Sequence, residues 1–64
     1  MSANNAICVK RLKTGYAVWH ELNPDKPKIP KGAKKIVNED NAMWYAIGLC
    51  DGLGIVEYGI MYVE

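Results

Sequence analysis

Two short runs near the start of the chain, A-I-C-V-K-R-L at residues 6–12 and Y-A-V-W-H-E-L at residues 16–22, are rich in β-branched and aromatic residues. A Gly-containing turn, K-T-G, separates them, and strand-turn-strand of this kind predicts a β-hairpin. With Thr14 and Gly15 as a two-residue turn, Lys13 faces Tyr16, Arg11 faces Val18, Val9 faces His20 and Ile7 faces Leu22. Ile7, Val9, Tyr16, Val18 and Leu22 then share the core face. A three-residue loop would scatter the apolar positions over both faces and set Cys8 opposite His20.

The next segment, N-P-D-K-P-K-I-P-K-G-A-K-K at residues 23–35, changes character. Prolines at 24, 27 and 30 recur every third residue, the repeat of polyproline II. Each fixes its own φ and biases its predecessor away from helix. An extended connection over residues 23–31, ended by Gly32, is expected between hairpin and helix.

After the apolar pair Ile36-Val37 comes N-E-D-N-A-M-W-Y-A-I-G-L-C-D-G. Asn38 is a good N-cap, and Glu39 and Asp40 sit where the helix dipole favours negative charge. Gly52 suits a left-handed C′ position, so the helix is expected from residue 39 to residue 50 or 51. Met43, Ala46, Ile47 and Cys50 make one apolar stripe, and Ala42, Tyr45 and Leu49 a second. Trp44 projects elsewhere. A single small sheet can cover only one side of such a helix.

The final run G-I-V-E-Y-G-I-M-Y-V-E alternates two sets, both largely apolar, so both faces of this strand want cover. Glu57 is read as an outward-facing residue, and Gly59 as a possible bulge. An exposed edge of this composition is an aggregation hazard, so the strand needs a central position or a partner strand from another chain. Together these elements predict an α+β fold, a β-β-α-β domain whose three-stranded, mostly antiparallel sheet carries one packed helix. The last strand is expected to pair with the first.

At 64 residues there is room for one domain, spanning residues 1–64. Such a chain buries only about 60% of its unfolded surface and needs further support. The start M-S-A-N-N has neither a basic n-region nor an apolar h-region, and no run could span a bilayer. A cytoplasmic location without membrane contact is the expectation. Cys8 and Cys50 are then read as buried thiols, and two cysteines with one histidine cannot supply four zinc ligands. By elimination, homo-oligomerisation becomes the leading source of support.

The chemistry-bearing residues are sparse. No carboxylate pair is spaced for acid-base work, D-G-L-G lacks the helix that should follow a phosphate loop, and a Cys8–His20 nucleophile would need the disfavoured register. The chain is therefore expected to be no enzyme and to need no cofactor. Charge is more informative. Residues 23–35 hold five lysines and one aspartate, a local +4 on a chain of net charge +1. Lys26, Lys28, Lys31, Lys34 and Lys35 are the candidate anion contacts. Trp19, Trp44 and Tyr45 are the candidate aromatic contacts, since such side chains mark protein interfaces and stacking sites.

The reading is a small binding protein, an inhibitor or sequestering factor acting through a protein surface or a small-ligand pocket. A host protein or a small anionic ligand would be its partner. Size and missing catalytic groups give it the general character of accessory proteins carried by phages and other mobile elements. The alternative is a nucleic-acid-binding module using the Lys/Pro arm and exposed aromatics.

Overall fold

The computed structural model describes residues 5–54, 56 and 58–63. The elements run β1 (Ala6–Leu12), β2 (Gly15–Glu21), β3 (Lys34–Ile36), α1 (Glu39–Leu53) and β4 (Ile60–Val63). One mixed sheet of four strands has the order β3-β2-β1-β4. Both β1–β2 and β2–β3 are antiparallel, and β4 joins β1 in parallel. The class is the expected α+β with a helix on a sheet, and the last strand pairs with the first as expected. The sheet has four strands rather than three, because Lys34–Ile36 pairs with Tyr16–Val18. Three residues are too few to display a period of two, so this strand leaves no mark in the hydrophobic pattern.

β1 is central, and Ala6, Ile7, Cys8 and Val9 are all fully buried. Burial on alternate sides means both faces of the sheet are covered. On one face α1 lies chiefly across β1 and β2, where Ala42 and Ala46 pack with Ile7, Val9 and Val18. Tyr16, Ile36, Met43, Leu49, Cys50, Val56 and Ile60 close around them. The small side chains of Ala42 and Ala46 let the helix approach closely. The two stripes read from the sequence thus merge inward through Ala42, Met43, Ala46, Leu49 and Cys50, leaving Trp44 outside.

The hairpin register differs from the expected one. Ile7 pairs with His20, Cys8 with Trp19, Val9 with Val18, Arg11 with Tyr16 and Leu12 with Gly15. The turn residues are therefore Lys13 and Thr14. The slip of two positions keeps every side chain on its expected face, since the strand period is two. Only Leu22 leaves the core set, at 72% exposed. Gly15 moves into the strand, with φ of 151°. A Cβ there would stand 2.6 Å from the Ile36 carbonyl oxygen, so close approach of β3 demands glycine at this position.

α1 begins as the sequence predicts, with Asn41 N–H donating to the Asn38 side chain at 3.2 Å. Its end is later than expected. Gly52 remains helical, and the cap is Gly54 (φ 84°), whose N–H donates to the Cys50 and Asp51 carbonyls. The last strand is correspondingly short, starting after Gly59 (φ 65°) rather than near residue 55. It is an edge strand, so of the two positions its composition allows the central one is not taken. β3 and β4 run parallel at opposite edges, joined through α1, with the β1–β2 hairpin between them. The reading of Glu57 as outward-facing lies outside the described residues. No helix among the described residues is long and apolar enough to cross a membrane.

Candidate interaction surfaces

The Lys/Pro-rich segment covers the second face of the sheet. Ala6, Cys8, Ala17 and Trp19 form a buried cluster there, closed by Leu12, Met61, Val63 and by Ile29 and Ala33 of the segment itself. It forms a strap with a turn at each end. Lys26 N–H donates to the Asn23 carbonyl at 3.1 Å, and Ala33 N–H to the Pro30 carbonyl at 3.2 Å. Pro24 occupies the second position of the first turn, a place proline favours. The expectation of one extended run over residues 23–31 is corrected accordingly, with turns at both ends and only residues 27–30 between them.

Glu21 anchors the strap. Trp19 and Glu21 lie two apart on β2, hence on one face, and the Trp19 indole N–H donates to Glu21 Oε1 at 3.0 Å. Backbone N–H groups of Lys28 and Asn23 donate to Oε1 and Oε2, each at 3.0 Å. The indole hydrogen bond first, then that from Lys28, holds the Glu21 carboxyl below its ordinary pKa, with burial opposing weakly.

This anchoring decides which side chains the strap displays. Pro24 is buried, and Pro27, Ile29 and Ala33 are half-buried, whereas Lys26, Lys28 and Lys31 are exposed. Lys34 and Lys35 on β3 are exposed as well. Opposite Ala17, Lys35 shares the strap face, while Lys34, opposite Val18, shares the helix face. On the far side of the sheet α1 carries Glu39, Asp40 and Asp51 and no basic residue. The molecule therefore has a basic strap layer and an acidic helix layer.

The aromatic candidates separate. Trp19 is only 4% exposed and is part of the strap's foundation, so it offers nothing to a partner at the surface. Trp44 is 70% exposed, and Tyr45 and Ile47 are about two-fifths exposed at 39% and 41%. They lie on the helix layer, away from the strap lysines. The sequence-predicted set is thus divided between two surfaces, and sequence reasoning missed Glu21, whose partners are scattered from residue 19 to residue 28. The i, i+2 spacing of Trp19 and Glu21 was the available signal.

A shallow depression of about 230 Å³ is lined by Leu12, Thr14, Gly15, Tyr16, Lys35, Ile36 and Val37. Lys35 reaches it, but Trp44, Tyr45 and Lys34 do not line it. Its rim is braced by the Tyr16 hydroxyl, which donates to Glu39 Oε2 at 3.1 Å.

Cys8 meets neither the other thiol nor the histidine. Cys8 belongs to the strap-side cluster and Cys50 packs on the helix side, and both are free. Cys8 pairs with Trp19 and His20 with Ile7, so thiol and imidazole project from opposite faces. His20 Nε2 is buried with no hydrogen-bond partner among the described residues. Burial, with a smaller contribution from the Glu21 charge, pushes the Cys8 thiol above its ordinary pKa. A buried, protonated thiol is a poor nucleophile. Cys8 should therefore resist iodoacetamide in the native protein and react only on unfolding, which mass spectrometry of the alkylated chain will show. Rapid native labelling of Cys8 would contradict its burial. Among the described residues no group of three or more His, Cys, Asp or Glu could hold a metal ion.

No family model, no curated protein and no solved structure matches this chain.

Proposed function

We propose that this chain is a small, non-catalytic, homo-oligomeric binding protein that occupies a partner protein's surface, as an inhibitor or sequestering factor of the accessory type. The observation carrying this reading is the apolar patch on the outer face of α1, with Trp44, Tyr45 and Ile47 left exposed by a core that does not need them. Exposed tryptophan flanked by apolar neighbours is the composition of an interface centre. Asp40 and Asp51, four before and seven after Trp44, supply a polar rim. A protein surface suits the geometry better than a small ligand, because the depression at β3 is smaller than the roughly 300–1,000 Å³ of ordinary ligand pockets.

Trp44→Ala tests the reading. Folding stability should stay within about 0.5 kcal/mol of wild type, as for surface substitutions generally, while affinity for a partner falls at least tenfold. Native mass spectrometry of the two proteins purified from cells compares them directly. A partner retained equally by both would overturn the assignment of this face.

The outward lysines of the strap support a second reading, contact with a nucleic acid. Lys26→Ala, Lys28→Ala and Lys31→Ala together should then weaken binding, and wild-type affinity should fall steeply with salt through counterion release. With Trp19 buried and Trp44 on the helix layer, the strap lacks the adjacent aromatics that single-strand binders use. Binding unaffected by salt would exclude this reading.

A further inference from the structure

The two edges of the sheet are built differently. β3 is three residues long and presents Lys34 and Lys35 to solvent, which is how natural sheets discourage edge pairing. β4, Ile-Met-Tyr-Val, has no charge and no proline. Its Tyr62 is 54% exposed, and so is Tyr58 just before it, at 53%. Ile7 N–H donates to the Gly59 carbonyl at 2.8 Å. In a parallel ladder that phase turns the C=O of Gly59 and both groups of Met61 toward β1, and the N–H and C=O of Ile60 and Tyr62 outward, while the Gly59 N–H donates to the Val56 carbonyl at 3.2 Å. An unguarded edge therefore offers two donors and two acceptors in one short strand.

We propose that β4 pairs antiparallel with β4 of a second copy, around a two-fold axis beside Met61, to make one continuous eight-stranded sheet. This identifies the surface behind the oligomeric part of the function proposed above and rests on that part. Ile60 sits opposite Tyr62 of the second copy, and Tyr62 opposite its Ile60, so all four outward-pointing groups of each strand are paired. Ile60 and Tyr62 are on the helix face, and each cross-strand couple joins an aromatic to a β-branched residue, a favourable pairing. On the strap face Met61 meets its own symmetry mate at a non-hydrogen-bonded position. The contact is isologous and closes at two copies. Net charge of only +1 leaves little repulsion between copies.

Two variants test the register. Tyr62→Pro removes an N–H that points away from β1, a position where an edge strand tolerates proline. It should keep the monomer's circular dichroism while weakening the dimer at least tenfold by light scattering after gel filtration. Met61→Cys, in a background with Cys8→Ala and Cys50→Ser because Cys8 lies opposite Met61 on β1, places two thiols at a pair whose Cα atoms lie about 4.5 Å apart, within the disulfide range of roughly 4.4–6.8 Å. It should oxidise to a covalent dimer quickly, and Tyr62→Cys in the same background should not. If Tyr62→Pro fails to fold, the cysteine pair alone decides. A wild-type dimer that neither cross-links through Met61→Cys nor responds to Tyr62→Pro overturns the β4 pairing and leaves the oligomeric reading standing. A wild-type monomer at tens of micromolar overturns both, and higher oligomers without the cross-link overturn the closed two-fold arrangement.

Discussion

Gly15→Ala should destabilise the protein by about 1–3 kcal/mol from backbone strain alone. Gly15 holds φ of 151°, a conformation L side chains rarely adopt. The steric problem adds to this. The new Cβ would lie 2.6 Å from the Ile36 carbonyl oxygen and 3.0 Å from Val37 Cα. Both are backbone atoms, so no rotamer change relieves the contact. β3 must shift away from β2, and the Tyr16 to Glu39 hydrogen bond that ties the hairpin to the helix start shifts with it. A domain of this length has about 3–10 kcal/mol in total, so the melting temperature should drop by roughly 10–20 °C. Gly48→Ala is the control. Gly48 is an exposed mid-helix residue with nothing within 4 Å of its virtual Cβ, so alanine there should stabilise by about 0.5–1 kcal/mol. Thermal unfolding of the two variants by circular dichroism makes the comparison. Equal stability for Gly15→Ala and wild type would refute the close packing of β3 on the hairpin.

Glu21→Ala should cost about 2–3 kcal/mol, because it leaves the indole N–H of Trp19 without its acceptor in a half-dry site and unties the strap at Asn23 and Lys28. The consequence is more than local. Ile29 and Ala33 are held over Cys8, Ala17 and Trp19 by this attachment, so loosening it should also expose Cys8 to alkylation. The pH dependence follows from the direction of the shift. The folded carboxyl has a lowered pKa, so its stabilising effect is fully present above the unfolded value, about 4.3. It is lost as pH falls through the lower folded value. Wild type should therefore lose strap stability in mild acid, and Glu21→Gln should show a flatter acid limb in urea unfolding between pH 3 and pH 6, a range set at roughly the span of carboxylate titration. An acid limb unchanged by Glu21→Gln would mean that the strap is held by its apolar contacts alone.

Much of the fold was legible in local patterns. The bounds of β1, the Asn38 cap and the placement of Ile7, Val9, Tyr16 and Val18 on the helix face follow from alternation and capping, which depend on near neighbours in the chain. The hairpin register was misread because Thr14-Gly15 is the stronger turn signal by composition. What draws Gly15 into the strand is the approach of Ile36, a residue 21 positions later. The helix end was placed at Gly52 for the same reason, since two glycines compete and only Gly54 adopts the positive φ. The candidate site was legible only in part. Exposed lysines could be named from charge, and Trp44 from its position off both helical stripes, but only the strap that packs over Trp19 distinguishes it from Trp44.

The sequence by itself determined an α+β class, the hairpin, the helix start and a basic segment stiffened by three prolines. Tertiary structure alone decided that this segment closes the second face of the sheet, that β3 guards one edge with lysines, and that β4 forms the other. The physical reason is range. Turn chemistry, capping and periodicity act within a few residues, whereas strap burial and strand order depend on which distant apolar surfaces find each other.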